Sequence, residues 1–411
     1  MKFKSGAALA VLAFGTVCAL AQNANQGVTK TEITIGSIQD LSGPLAGFGK
    51  QIRQGMILRV DEVNEQGGIN GRKIKLLIED SGYDPKKAIL AAQKLVNQDK
   101  IFVMVGHLGT AQNLAAMPVQ FEKNVINFFP VTAAREMYEP FDRLKFAFAA
   151  TYYDQIRIAV PKLMKDRNVK TACIIYQDDD FGQEVLRGAE AGLKTIGMEF
   201  VEKTSYKRGA TDFSSQVAKM KASGCEMVVL GTIIRETIGT IGESRKTGFN
   251  PIFLGSSAAY TDLIHKLGGK AMDGLFATMT SQNPYVDAAE QPIRFWATKY
   301  RTKFNDDPTV FSVYGYSAID AFIRGAQKAG TDLSTNTFIK AMDTMVIPRD
   351  MFGTAESTFS ATKRLGNNLS RLSQIQDGRW KVVSEYVAFN NLRMVQQKDG
   401  TFKIMSDQFK N

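Results

Sequence analysis

Histidine and cysteine are nearly missing from this chain, with two of the first and three of the second in 411 residues. That scarcity removes metal centres that need clustered His or Cys, and it removes a disulfide-dense scaffold. No G-x-S-x-G elbow, no H-E-x-x-H pair and no Cys-His pairing of supportive spacing occurs, so neither an activated nucleophile nor a catalytic metal site is offered. After residue 21 no apolar run reaches the roughly 20 residues that cross a bilayer. Lys and Arg are scattered rather than gathered into a basic, aromatic-interleaved tract, which leaves nucleic acid unsupported as a partner.

What is present is the balance of an ordinary folded protein, 44% apolar and 22% charged, in a chain longer than one hydrophobic core usually serves. Two lobes are expected. Residues 1–21 read as a secretory signal: Lys2 and Lys4 open it, Ala7 to Phe14 form its apolar stretch, and Ala19-Leu20-Ala21 offers a small-x-small cleavage site. Cys18 follows Gly15-Thr16-Val17, and the bulky Val17 argues against lipid attachment there. Loss of Lys2 and Lys4 takes the formal charge from +10 to +8, a basic excess that suits small anions or an anionic membrane surface. Cys173 and Cys225 then remain, in two apolar runs that read as separate strands; buried free thiols are the favoured reading.

Short β-rich runs alternate with segments of helical period, the signature of a parallel sheet wound with helices, so the fold class is α/β. ITIGSI (33–38), KIKLLIED (73–80), IFVMVG (101–106) and VINFFP (125–130) read as the strands of a first lobe. Asp84-Pro85 places a capping carboxylate before a proline at the first helical position, with a helix following to about Gln98. From about residue 150 the plan restarts with TACIIY, EMVVLG and IFLG. Helical spacing recurs at Val185, Ala189 and Leu193, and again at Ile293, Trp296 and Tyr300. LSQIQDGRWKVVSEYV reads as a hairpin turning on Asp377-Gly378. In such sheets ligands lie beyond the carboxyl ends of the strands at the switch point in strand order, which with two lobes predicts a site in the cleft between them.

Several stretches imitate chemistry without completing it. SGPLAGFGK is glycine-rich after a strand but matches neither phosphate-binding spacing. QDDDFG lacks the oxygen ligands of a calcium loop, and Asp180 reads as a loop or cap residue. His265, in DLIHKLGG, is placed on a helix surface. VGHLGTAQ (105–112) is more informative: a strand ends, the chain turns at Gly109, and Thr110 is read as capping a helix that begins at Ala111. The unpaired N–H groups, the hydroxyl and the positive dipole end suit a carboxylate, with plain capping as the equal alternative. His107 is expected to pack against the turn.

Taken together, SGPLAGFG, NEQGGINGRKIKLLIEDSGYDP, VGHLGTAQ, QDDDFGQEVLRGAEAGL, GATDFSSQVAKMK and YSAIDAF resemble the leucine/isoleucine/valine-binding type of solute-binding protein, class I of the periplasmic binding fold, which serves ABC transporters. The resemblance implies two doubly wound, Rossmann-like lobes joined by a three-crossover hinge near residues 150, 276 and 354. Lobe 1 is then 28–149 plus 277–353, and lobe 2 is 150–276 plus 354–411. It implies carboxylate contacts at Thr110 with the Ala111 amide and around Val131, Thr132 and Ala133. Phe48 is implied as an apolar wall, Phe181 as the aromatic of the DDxYG-like turn, and Tyr152 and Tyr153 as neighbours of the first crossover. Ordinary core packing stands as the alternative for each aromatic.

The departures concern the ligand. Amino-acid-binding members place an acid after the strand written here IFLG, where this chain has Ser256 and Ser257, and an assisting tyrosine where it has Ile233. Either another acid such as Asp154 or Glu236 replaces it, or the ligand has no amine; the second is favoured. Arg235 meets an acidic or polar far end of the ligand, or else faces solvent. The expectation is a periplasmic, monomeric binding protein with no cofactor and no catalytic residue. It takes a small carboxylate, aromatic or dicarboxylic first and apolar amino acid next, to a membrane permease. A sensor subunit presenting ligand to a receptor, and an extracytoplasmic enzyme on the same scaffold, are the alternatives.

Overall fold

The computed structural model describes residues 26–385, 387–388, 392–396 and 402–406. Residues 1–21, read above as a secretory signal, and with them Cys18, lie outside the described residues, as does part of the expected C-terminal end of lobe 2.

The first sheet is built from β1 (Glu32–Gln39), β2 (Lys73–Asp80), β3 (Val103–Val105), β4 (Ile126–Phe128) and β5 (Lys145–Phe146), all parallel, in the order β2-β1-β3-β4-β5. Between them run α1 (Ala46–Glu65), α2 (Pro85–Gln93) and α3 (Thr110–Glu122). Asp84 caps α2 through the Lys86 and Lys87 amides, ahead of Pro85, and the helix continues as one π turn to Gln98.

The second lobe repeats the winding. It comprises α4 (Tyr152–Asp166), β6 (Ala172–Gln177), α5 (Asp180–Lys194), β7 (Glu202–Tyr206), α6 (Ser214–Ala222), β8 (Met227–Gly231), α7 (Ile234–Lys246), β9 (Ile252–Gly255), α8 (Asp262–Gly268) and β10 (Phe276–Met279). Its parallel strands follow the order β7-β6-β8-β9-β10, the same pattern as the first lobe. Every residue of β8 is buried, as a strand covered on both faces requires. The chain then returns to the first lobe as α9 (Gln291–Phe304), α10 (Val310–Ala329) and α11 (Thr335–Met342). α10 packs along α1 so closely that a Cβ on Gly315 would stand 2.1 Å from the Ile52 carbonyl oxygen.

A small ladder of β11 (Val346–Ile347) and β12 (Ser357–Thr358) follows. The chain ends with β13 (Leu369–Gln376) antiparallel to β10, β14 (Arg379–Val382) turning back on Asp377-Gly378, β15 (Val387–Ala388) pairing antiparallel with the start of β13, and a separate pair, β16 (Leu392–Gln396) and β17 (Phe402–Ser406).

The passages between lobes sit slightly away from the expected positions. The first falls between β5 and α4, around residue 150. The second follows Met279, because β10 is paired inside the second sheet. The third comes after residue 366, because the Ala147 amide donates to the Arg364 carbonyl and the Gly366 amide donates to the Ala147 carbonyl, at the edge of the first sheet.

Three local expectations are corrected. Cys173 and Cys225 are joined in a disulfide, with Cα atoms 5.8 Å apart, rather than standing as free thiols. The reason is strand order: β6 and β8 are neighbours, with Cys173 level with Val228, so residues far apart in sequence meet. His265 is buried, its Nε2 3.2 Å from the Tyr285 hydroxyl, and burial pushes its imidazole down to about 4. Asp179, not Asp180, caps α5, accepting from the Phe181 and Gly182 amides.

The disulfide closes a loop of 52 residues, which in the chain-entropy account stabilises by roughly 4 kcal/mol. Reduction under native conditions is therefore expected to lower the melting temperature by about 5 °C, read by calorimetry with and without a phosphine reductant. An unchanged melting temperature in demonstrably reduced protein contradicts this.

Candidate ligand-binding site between the lobes

Both sheets reverse their strand order beside the first strand of each lobe, and the loops at those carboxyl ends face one another. Between them lies a cavity lined by residues of both lobes. From the first lobe it is lined by Leu45 and Phe48 after β1, Tyr83 after β2, Leu108 to Thr110 after β3, and Val131 to Ala133 after β4. From the second come Tyr152, Phe181 after β6, Ile233 after β8, Ser257 and Ala258 after β9, and Thr280 after β10. Phe148, Ala149, Phe311 and Tyr314 complete it.

The first loop is held by the buried Asp40, whose carboxylate accepts from the Gly43 and Leu45 amides. This places Phe48 flat against Phe311, ring centroids 3.6 Å apart. The turn after β3 depends on Gly109, the cap residue of α3, at φ 101°; only glycine takes that conformation without strain. Here the structure corrects the sequence: Thr110 is the first residue of the helix and caps nothing. Its hydroxyl instead lies 2.6 Å from that of Thr132. In such a pair one hydroxyl donates to the other, leaving the second proton for a ligand, beside the orphan amides of the helix start. The Tyr152 phenol faces the Thr132 hydroxyl and the Ala133 amide, and burial pushes it up to about 12. Ser257 is positioned by Gln155, whose side-chain oxygen accepts from the Ser257 amide and the Thr278 hydroxyl.

Of the residues singled out from sequence, Phe48, Thr110, Val131, Thr132, Ala133, Tyr152, Phe181, Ile233 and Ser257 border the cavity. Ala111, Tyr153 and Arg235 do not. Ala111 is half-buried at the second position of α3. The Tyr153 ring lies against the Arg135 and Arg157 guanidinium groups, 4.0 and 4.9 Å away. Arg235 is 48% exposed, near Glu236 at 3.7 Å, so its position is the solvent-facing one. Neither replacement acid borders the cavity: Asp154 accepts from Thr151, Arg157 and Asn368, and Glu236 is buried on α7. Among the described residues lining the cavity there is no Asp, Glu, Lys, Arg or His. His107 is buried outside it and held neutral, burial pushing its imidazole down to about 3.

Sequence reasoning missed Tyr83, Phe148, Phe311 and Tyr314. Tyr83 stands inside the quoted GYDP stretch, with φ 58° and its carbonyl accepting from Gln112 at 2.7 Å.

The family model described as periplasmic binding protein matches residues 32–379. The chain belongs to that family, in its leucine/isoleucine/valine-binding branch. Curated relatives include an amino acid binding protein of Pseudomonas aeruginosa, 26% identical over 77% of this chain and 84% of its own, and the Leu/Ile/Val-binding protein of Escherichia coli, 25% identical over 77% and 86%. Solved structures of the same fold include a fatty acid ABC transporter substrate-binding protein from Thermomonospora curvata, with TM-score 0.80, 22% identity and coverage of 89% and 94%. Another is an ABC transporter solute-binding protein from R. palustris in complex with benzoate, with TM-score 0.77, 18% identity and coverage of 87% and 98%. The chain is thus a solute-binding protein of branched-chain amino-acid type and not an enzyme.

As in a binding protein with its jaws together, side chains from the two lobes are bonded across the cleft. Arg135 of the first lobe donates to the buried Glu184 of α5, 3.0 Å at the closest, and Arg187 bonds to the same carboxylate. Arg187 also lies 3.4 Å from Glu136. On the other side Arg208 donates to the Tyr83 carbonyl at 3.1 Å and to Asp179 at 2.6 Å, its guanidinium over the Tyr83 ring. Breaking a buried charged hydrogen bond acts mainly on dissociation. Glu184→Gln is expected to speed ligand release about tenfold with little change in association, measured by stopped-flow; an unchanged release rate contradicts a clasping role.

Proposed function

We propose that this binding protein takes a small carboxylate without an amine, its body aromatic or otherwise apolar, and delivers it as a monomer in the periplasm to an ABC permease. The observation that carries the reading is the lining of the cavity, which has no charged side chain among the described residues. An ammonium enclosed there without a carboxylate would lose several kcal/mol, and each 1.4 kcal/mol is about tenfold in affinity. A carboxylate needs no such partner. The α3 terminus offers about 0.3 to 2 kcal/mol from its dipole, and each charge-assisted hydrogen bond from the Thr110–Thr132 pair or the neighbouring amides about 1.5 to 3 kcal/mol.

Of the acids favoured from sequence, the second carboxylate of a dicarboxylate finds no cation in the lining, whereas the rings of Phe48, Tyr83, Tyr152, Phe181 and Phe311 suit a flat apolar body. Benzoate in a solved protein of the same fold is in keeping with this. Delivery to a permease follows the role of the family, and secretion through residues 1–21 follows their pattern.

The test is a thermal-shift series over aromatic acids, dicarboxylates and branched-chain amino acids, backed by calorimetry. A ligand at 100 times its dissociation constant adds about 2.7 kcal/mol of stability. Aromatic monocarboxylates are expected to stabilise the wild type, and Thr110→Val to weaken them about tenfold to a hundredfold. Strong stabilisation by leucine with no response to amine-free acids overturns the reading.

A further inference from the structure

Two cavities share one pair of rings. Phe148, in the passage between β5 and α4, and Tyr314, near the start of α10, line the interlobe cavity and also a second cavity behind it. The rear space is the larger of the two. The two ring centroids are 5.6 Å apart at 55°. Phe129 backs Phe148 at 5.4 Å, Phe311 backs Tyr314 edge-on at 5.5 Å, and the Tyr314 hydroxyl lies 3.4 Å from that of Thr280. The rear cavity has an apolar floor of Phe129, Ala318, Ala321 and Phe352, and a polar border where Arg324 pairs with Asp320 at 2.7 Å.

Such a rear space accepts apolar volume with a polar or solvated tip, and the first lobe supplies both rings, so approach of the second lobe does not remove them. Phe148 is half-buried while Tyr314 is buried, which makes Phe148 the ring with room to turn. We propose that Phe148 and Tyr314 form a partition that sets the length of ligand this protein accepts. A guest confined to the front cavity ends at these rings, and a longer alkyl or arylalkyl guest enters the rear cavity only where the partition yields. This rests on the interlobe cavity being the ligand site, but not on the ligand's head group.

The experiment is calorimetry on two homologous series, ω-phenyl carboxylates from benzoate to 6-phenylhexanoate and straight-chain α-amino acids from alanine to 2-aminooctanoate. They are titrated into wild type, Phe148→Ala, Phe148→Leu, Phe148→Trp and Tyr314→Ala. The readout is the chain length at which affinity stops rising, whatever the absolute affinity of the shortest member. Each buried methylene brings about a fourfold gain until that length is reached. Phe148→Ala and Tyr314→Ala are expected to move the limit outward by two or more methylenes, and Phe148→Trp to move it inward. Phe148→Leu, which keeps most of the packing, moves it outward by less and guards against a misfolded alanine variant. A limit that stays put in every folded variant overturns the partition even where acids bind, and so does binding of neither series. Binding of amino acids alone, with the limit moving in their series, leaves the partition standing and removes the amine-free reading instead.

Discussion

An anion taken out of water must be met by something positive, and in this cleft the bordering side chains supply no cation. What remains is the backbone. The start of α3, released from β3 by a left-handed glycine at 109, presents orphan amides and a partial positive charge to the cavity. Because Thr110 does not cap that helix, its hydroxyl is spent on Thr132, and the pair behaves as one unit with a proton to offer. Under the proposed function these fixed dipoles would hold a carboxylate with little reorganisation, and a cation in the same cavity would lack a partner. Everything else in the site supports this small polar corner: Asp40 fixes the first loop, Gln155 fixes Ser257, and the aromatic rings exclude water.

The repeated strand order explains why the polar corner faces a second wall. Each lobe winds in the same sense, so each has its own switch point, and the passages between lobes bring the two carboxyl ends together. An ion pair and a hydrogen bond then join the lobes on two sides, Arg135 with Glu184, and Arg208, held by Asp179 of its own lobe, with the Tyr83 carbonyl. Glu184 is buried in this state; in a separated arrangement its charge would be hydrated. Closing the lobes therefore carries the cost of desolvating that carboxylate, offset by its bonds to Arg135 and Arg187.

Much of the fold was legible because its strands are apolar runs ended by turn residues; β1, β2 and β9 stand where ITIGSI, KIKLLIED and IFLG placed them. Elements without that signal were lost. EKTSY of β7 alternates between exposed and buried positions with little apolar content, and FATM of β10 is too short to stand out as a strand, falling where the resemblance implies a crossover near residue 276. The cysteines failed for a different reason: their pairing depends on which strands are neighbours, and strand order is a property of the whole sheet. In the site, backbone positions after strands were readable, since topology alone delivers Thr110, Val131 and Ile233 to the cleft. Side-chain direction was not. Ile233 is the last residue before α7 and Arg235 the second residue within it, and only Ile233 reaches the cavity. Phe311 and Tyr314 read as ordinary core of a helix, and nothing in their spacing distinguishes a core face from a cavity wall.

The most direct measurement is a crystal structure of the protein with an aromatic acid that stabilises it. The account predicts the carboxylate seated at the start of α3, within hydrogen-bonding distance of the Ala111 amide and of the Thr110 or Thr132 hydroxyl, with the ring among the aromatic walls. A carboxylate lodged elsewhere in the protein, paired to an arginine or lysine while Thr110 touches nothing, would contradict it.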